Sequence, residues 1–348
     1  MLPDAGGPPR SRRAVDALVV MDAPIWALQF DDTRIRRLAA LTGSRDPVWV
    51  PSLAAPDLTA RLSTVEILVT GWGAPRLDEP TLRRMPRLRA VLHCAGSVRG
   101  IVSDAMWERG VVVSSSADLN AEPVVEYTLA AILMAGKKMP FLAMDARRHR
   151  ADWSYRDRRG PLGNTGLVVG LVGFSRIGRR VAATVTTLLR DVTCLVADPL
   201  ADPGQVSVAG ATLVDLDAML PRLDVLSLHA PELPSTFRMI SADRLASLPD
   251  HCCVVNTARG SLLDTAALEV ECASGRLHAI LDVTDPEPLP AESPLYDLPN
   301  VMITPHVAGS QGAEARRMTD GALDELERLV EGHDLVRQVH REELDHSA

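Results

Sequence analysis

The sequence lacks the features that mark several protein classes. No stretch approaches the roughly 18 consecutive apolar residues of a membrane-spanning helix, and no N-terminal segment combines a basic start, an apolar run and a small-residue cleavage site. Positive charge is in deficit. With 37 Lys plus Arg against 45 Asp plus Glu the formal net charge is −8, so the overall field repels a nucleic-acid duplex or an anionic membrane, and neither is expected as a partner. The basic clusters "RSRRAV" and "RRHRADWSYRDRR" read as solvated faces, the second interrupted by acids. The five cysteines (Cys94, Cys194, Cys252, Cys253, Cys272) are odd in number and show no C-x-x-C spacing. Three of them lie in apolar runs, where a thiol behaves as a small hydrophobe. The reading is a reducing, cytoplasmic compartment, with no metal site. There is no internal repeat or low-complexity tract, and residues 1 to about 12 are expected to be loose.

What is present supports large cores. The chain has 348 residues, 46% of them hydrophobic and 24% charged, and single cores seldom grow past about 250 residues, which favours two domains. Short apolar runs alternate with stretches of helical period, the signature of β-α units and parallel sheets. One block holds "AVDALVVM", "VEILVTG", "LRAVLHCAG" and "GVVVSSS". A second holds six candidate strands: "GLVVGLVG", "VTCLVADP", "LDVLSLHAP", "HCCVVNTA", "HAILDVT" and "VMITPHV". Several are continuously apolar, as strands buried on both faces are. Between the blocks, "NAEPVVEYTLAAILMAGKK" predicts a long helix with Asn120 as N-cap and Pro123 in the first turn. The amphipathic stretch "GAEARRMTDGALDELERLVEG" follows the last strand and predicts a second connecting helix. The expected architecture is α/β, two Rossmann-like doubly wound parallel-sheet domains with a cleft between them. The division expected is 1–119 plus 310–348 for one domain and 120–309 for the other.

The stretch Val169–Ala182, "VGLVGFSRIGRRVA", resembles a Gly-x-Gly-x-x-Gly dinucleotide fingerprint whose first and last glycines are Gly173 and Gly178. Its middle position is Ser175. The fingerprint follows an apolar strand, opens a helix and precedes, about 20 residues on, a strand ending in Asp198, where a carboxylate can hold ribose hydroxyls. Serine narrows the cradle that a third glycine would leave open, and its hydroxyl can also donate to a phosphate oxygen; either way the helix N-terminus still faces the anion. Pro199, Leu200, Ala201 and Asp202 follow Asp198. No basic side chain stands there to meet a 2'-phosphate, so NAD is expected over NADP.

With "NTARGSLLDTAAL", "LDVTDPEPLP" and "PHVAGS" added, the chain from about Val65 to Val330 resembles the D-isomer-specific 2-hydroxyacid dehydrogenase family. That family includes phosphoglycerate dehydrogenases and glyoxylate/hydroxypyruvate reductases. Its chemistry moves a hydride between nicotinamide and the substrate's C2 while a proton moves at the oxygen, which calls for an acid/base, a partner for it and a carboxylate anchor. His306 fits the acid/base. Glu287 fits the partner that fixes its tautomer, and Arg259 the forked donor that grips the carboxylate and polarises the carbonyl.

The resemblance implies that Gly173, Ser175, Arg176, Ile177 and Gly178 meet the pyrophosphate and Asp198 the ribose. It puts Thr257 and Asp282 near the nicotinamide, and it adds His229, Pro231, His306 and Gly309 to the cofactor's surroundings, although a structural role for His229 is equally consistent. A flavodoxin-like substrate domain is implied too, with Gly96 and Ser97 of "HCAGSVRG" donating to the substrate carboxylate, together with a homodimer. Trp153 resembles a family tryptophan and is expected to pack.

Arg99 stands where the family usually carries Asp. The segment "TGWGAP" places Trp72 and Ala74 where phosphoglycerate-specific members carry basic side chains, so a phosphorylated substrate is disfavoured. Glu287 argues against members acting on formate, which carry Gln. The expected activity is NAD-dependent interconversion of a small 2-oxo acid and a D-2-hydroxy acid. An alternative within the same fold is an NAD(H)-sensing protein resembling the family's transcriptional co-repressors.

Overall fold

The computed structural model describes residues 15–43 and 45–345. The first dozen residues, expected to be loose, and the start of the "RSRRAV" cluster lie outside them. The chain divides into two compact units, one running through Asn120 and resuming at Ser310, the other spanning Ala121–Gly309.

In the first unit the apolar runs become β1 (Ala17–Val20), β3 (Ile67–Thr70), β4 (Ala90–His93) and β5 (Val112–Ser115). Two strands of only two residues join them, β2 (Trp49–Val50) and β13 (Gln338–Val339). Such short strands leave no periodicity to detect. The order is β13-β5-β4-β3-β1-β2. All pairs are parallel except β13 with β5. Strands β2-β1-β3-β4-β5 thus reproduce the flavodoxin-like order.

The second unit carries β6 (Val168–Val172), β7 (Thr193–Ala197), β8 (Thr212–Leu213), β9 (Val225–Leu228), β10 (Cys253–Asn256), β11 (His278–Leu281) and β12 (Val301–Ile303). Six match the candidate strands. β8 is the two-residue addition. The order β12-β11-β10-β9-β6-β7-β8 is parallel throughout, a Rossmann arrangement whose order reverses between β6 and β9. Separate apolar clusters cover the two faces: Val172, Leu226, Leu228 and Val254 belong to one, Val169, Leu171, Val225 and Val255 to the other. This explains the unbroken apolar runs, since neither face meets water.

The division falls one residue later than the expected 119/120, and the start of the long helix also differs from the sequence expectation. The long helix is Ala117–Gly136, so Asn120 is not its N-cap and Pro123 lies inside it. An interior proline deprives the carbonyl four residues earlier of its donor, a cost of about 3 kcal/mol when uncompensated. Here Arg317 Nη2 donates to that carbonyl, Leu119 O, at 3.2 Å. Asn120 Oδ1 instead accepts from Ser310 N at 2.9 Å, fastening the point where the chain re-enters the first unit just before the helix Gly312–Glu331. All five cysteines are buried free thiols, and burial pushes each above the usual thiol range.

Three buried histidines are held neutral by desolvation. It pushes His93 and His229 down to about 4 and His278 to about 3, where nearby Lys138, Arg159 and His251 add to the effect. In the unfolded chain each protonates near pH 6.5. Between these values the unfolded state binds more protons, so stability is complete above pH ~6.5 and falls as the pH drops toward 4, with a slope of up to about 4 kcal/mol per unit for three groups. Urea unfolding midpoints should decline steadily over that window, and His278→Leu should flatten the decline. A midpoint independent of pH from ~6.5 to ~4.5 would contradict the assignment of neutral buried imidazoles.

Candidate active site

The chemically equipped residues of the second unit sit at the carboxyl ends of its strands, where open α/β sheets bind ligands. β6 runs into Gly173, β7 into Asp198, β9 into His229, β10 into Thr257, β11 into Asp282 and β12 into the loop bearing His306.

Two glycines are imposed by close backbone approaches. Gly173 has φ +98°, and a β-carbon there would stand 2.7 Å from Ala230 N; at Gly178 it would stand 2.0 Å from Gly173 O. Ser175, between them, is exposed at the tip of the turn, so its side chain is accommodated without displacing backbone. The helix Gly178–Leu188 begins at Ile177 with no side-chain cap; Arg179 N and Arg180 N donate to Ser175 O at 3.2 Å and Ile177 O at 3.0 Å, and the positive end of the helix dipole faces the turn. Asp198 braces the turn: Oδ2 accepts from Phe174 N at 2.7 Å and Oδ1 from Leu200 N at 2.8 Å. His229 Nε2 pairs with Ser227 Oγ at 3.0 Å while its buried Nδ1 has no partner. The Cβ position of Gly178 lies 3.5 Å from His229 Cβ. A tight turn, an uncapped helix and an orphaned ring nitrogen at the switch point fit a dinucleotide. Pro231 follows, its carbonyl accepting from Thr236 Oγ1 at 2.6 Å.

Arg259 leaves β10 through a turn shaped by Asn256, whose side chain accepts from Ala258 N at 3.0 Å and donates to Arg259 O at 2.8 Å. Its guanidinium is part-exposed; Nη1 donates to Ala258 O at 2.6 Å and Nε lies 4.0 Å from Glu232 Oε2. Glu232 is not anticipated from the sequence. At Gly260 a β-carbon would stand 2.0 Å from the carbonyl of Thr284, so the loop carrying Arg259 packs directly on the loop leading to Glu287. Thr257 is buried and shares a 2.8 Å hydrogen bond with Thr128.

His306 Nδ1 and Glu287 Oε1 are 2.7 Å apart, both side chains about half exposed. The histidine has φ +53°, a left-handed conformation that costs a residue with a β-carbon about 1–3 kcal/mol and persists only where its surroundings enforce it. Here they do. His306 N donates to Asp282 O at 2.9 Å and to Thr304 O at 3.0 Å.

The Asp282 carboxylate, 2% exposed, accepts from Thr304 Oγ1 at 2.6 Å, Val307 N at 2.9 Å and Ala308 N at 2.8 Å. The sequence reading puts Asp282 beside a ligand; these three donors all belong to the loop after β12. Glu287 and His306 also line a cavity of about 480 Å³ with Pro288, Leu289, Leu295 and Tyr296. Gly309 is the last residue of the unit.

In the first unit, Gly96 and Ser97 follow β4. Asn120 Nδ2 stands 3.3 Å from the Cβ position of Gly96, and Ser97 Oγ accepts from Arg99 N at 3.4 Å. His93, beneath them, pairs through Nδ1 with Thr70 Oγ1 at 2.9 Å. Trp153 departs from expectation. It is 75% exposed, in the segment after the helix Met139–His149, with Asp152 and Ser154 beside it in sequence. Among the described residues no group of three or more His, Cys, Asp or Glu could hold a metal ion, and no helix is long and apolar enough to cross a membrane.

Comparison with known proteins places the chain in a family. The family model for the D-isomer specific 2-hydroxyacid dehydrogenase NAD binding domain matches residues 129–308, just over half of the chain, and the chain belongs to that family. It is 32% identical over 297 residues to D-3-phosphoglycerate dehydrogenase of Mycobacterium tuberculosis, covering 84% of this chain and 54% of that protein. The chain thus spans about half the length of the phosphoglycerate dehydrogenases it matches. It is 28% identical to glyoxylate/hydroxypyruvate reductase B of Yersinia enterocolitica over 78% of this chain and 82% of that one. The crystal structure of the TT0316 protein from Thermus thermophilus superposes with a TM-score of 0.76 at 28% identity, covering 93% of this chain and all of that one.

The cradle geometry yields a stability test. Gly178→Ala drives a β-carbon into Gly173 O and should destabilise by about 1–3 kcal/mol, whereas Ser175→Ala, at an exposed tip, should stay within about 0.5 kcal/mol of the parent. Chemical denaturation measures both. Equal stabilities for the two variants would show that the turn is not closed as described.

Proposed function

We propose that this protein uses NADH to reduce a small, unphosphorylated 2-oxo acid to the D-2-hydroxy acid, in the manner of a glyoxylate/hydroxypyruvate reductase. The observation that carries the reading is the His306–Glu287 pair at 2.7 Å, on the same strand-end edge as the fingerprint turn. NADH, when bound, supplies the hydride. The chain's own contribution is binding and proton handling.

Glu287 holds Nδ1 of His306 and so leaves Nε2 to give a proton to the substrate oxygen as it gains negative charge. Arg259, part-exposed and tethered at one face by Ala258 O and Glu232, is the fork that would grip the carboxylate and polarise the carbonyl. Gly96 and Ser97 are the proposed backbone donors to that carboxylate. At the other end of the cofactor, Asp198 would accept from the ribose hydroxyls; each of its oxygens spends one lone pair on the turn and keeps another. Its charge would repel a 2'-phosphate, which supports NAD over NADP.

The preference for an unphosphorylated substrate rests on the turn after β3. It carries Trp72, Gly73 and Ala74, and its first basic residue is Arg76, beside Asp78. Because the mycobacterial relatives are named for phosphoglycerate, the phosphorylated acid is the informative competitor.

Absorbance assays with NADH and a panel of glyoxylate, hydroxypyruvate, pyruvate and 3-phosphohydroxypyruvate should show turnover, with kcat/KM for the phosphorylated acid at least about tenfold below that for hydroxypyruvate. His306→Asn should lower kcat by ~10²-fold or more, and Arg259→Lys should raise KM and lower kcat together. Preference for the phosphorylated acid would overturn the substrate, and a near-normal rate for His306→Asn would remove His306 from the chemistry.

A further inference from the structure

We propose that Tyr127 and Thr304 are positioning residues for His306, acting through a directed hydroxyl relay that ends on Asp282; this rests on the reading of His306 as the acid/base. The direction follows from proton counting. Thr304 Oγ1 lies 2.6 Å from Asp282 Oδ1 and 2.6 Å from Tyr127 Oη. An ionised carboxylate accepts only, so the single hydroxyl hydrogen of Thr304 goes to Asp282. Tyr127 must then donate to Thr304. Burial, against the opposing effect of the Thr304 hydrogen bond, raises the Tyr127 phenol above its ordinary value, which keeps its proton in place at working pH.

The relay reaches across the second unit, from the long helix to the loop after β12, a sequence separation of 177 residues. Its last member is the carboxylate that also accepts from Val307 N and Ala308 N, just after the chain has turned through the left-handed His306. With three donors on a carboxylate this deeply buried, removal of the Thr304 hydroxyl leaves the charge short of a partner, and the loop relaxes to compensate. Relaxation moves the imidazole relative to Glu287. Small misplacements of a reacting group are expensive in rate even when nothing in the ligand contacts has changed. Neither hydroxyl need touch the substrate for this to hold.

The test uses the full-length protein and three variants, Thr304→Val, Thr304→Ser and Tyr127→Phe, with two readouts. Hydrogen exchange of the peptide spanning residues 302–309 should quicken about tenfold or more in Thr304→Val, less in Tyr127→Phe, and return to within about threefold of the parent in Thr304→Ser. Turnover should follow the same ranking: kcat down about tenfold or more for Thr304→Val and about 3- to 10-fold for Tyr127→Phe, with KM for NADH and for the 2-oxo acid within about threefold. Thr304→Ser as impaired as Thr304→Val would show that the methyl group, not the hydroxyl, matters, and would overturn the relay; so would unchanged exchange in Thr304→Val, or exchange quickened throughout the unit. If the parent protein turned over no 2-oxo acid, the proposed activity would fail, while the exchange ranking would still decide the relay by itself.

Discussion

A carboxylate that is almost wholly withdrawn from water must be supplied with donors, and at Asp282 the supply dictates the shape of everything around it. An unpaired buried charge is far more costly than any single contact in a domain. Thr304 Oγ1, Val307 N and Ala308 N converge on this one group, and the segment between them has no freedom to lie elsewhere. His306 takes up a backbone conformation it would otherwise avoid. The proposed acid/base is therefore placed by a neighbour that the sequence alone suggests is there for a ligand.

The second constraint is topological. In a parallel sheet every strand delivers its carboxyl end to the same edge, so residues far apart in sequence meet without any long loop to carry them. Gly173, Asp198, His229, Thr257, Asp282 and the His306 loop each follow a different strand. Glycines then set the spacing between the loops: Gly173 and Gly178 allow the fingerprint turn to close on itself and on the residue after His229, while Gly260 lets the Arg259 loop lie against Thr284. The rigid sheet holds the geometry, and the loops supply the chemistry.

Much of this is legible in the sequence, for reasons that also explain what is not. Strands buried on both faces write themselves as uninterrupted apolar runs, and the six quoted for the second unit all form. β2, β8 and β13 have two residues each, too few for any pattern. The start of the long helix is misplaced by a local reading because Asn120 looks like a cap. Its side chain is engaged by Ser310, and the carbonyl freed by Pro123 is served by Arg317, both contributed by distant sequence. For the site, the types of residue that hydride transfer needs can be named from chemistry, and the motifs that carry the family resemblance single out Arg259, Glu287 and His306 among them. The groups that hold them cannot. Tyr127 and Glu232 carry no motif signal of their own, and only folding brings them to Thr304 and Arg259. Trp153 shows the converse error, since a tryptophan is ordinarily a packing residue and this one lies open to solvent.

Isotope transfer reports whether the strand-end edge of the second unit directs a hydride from NADH onto C2 of a 2-oxo acid, as proposed. With NADH deuterated at nicotinamide C4 and glyoxylate or hydroxypyruvate as acceptor, mass spectrometry of the product should find deuterium at C2 when the label is on the face of the nicotinamide ring turned to the substrate, and none when it is on the other. Label appearing from neither face, in a protein shown to bind NADH, would rule out hydride transfer to the 2-oxo acid at this site.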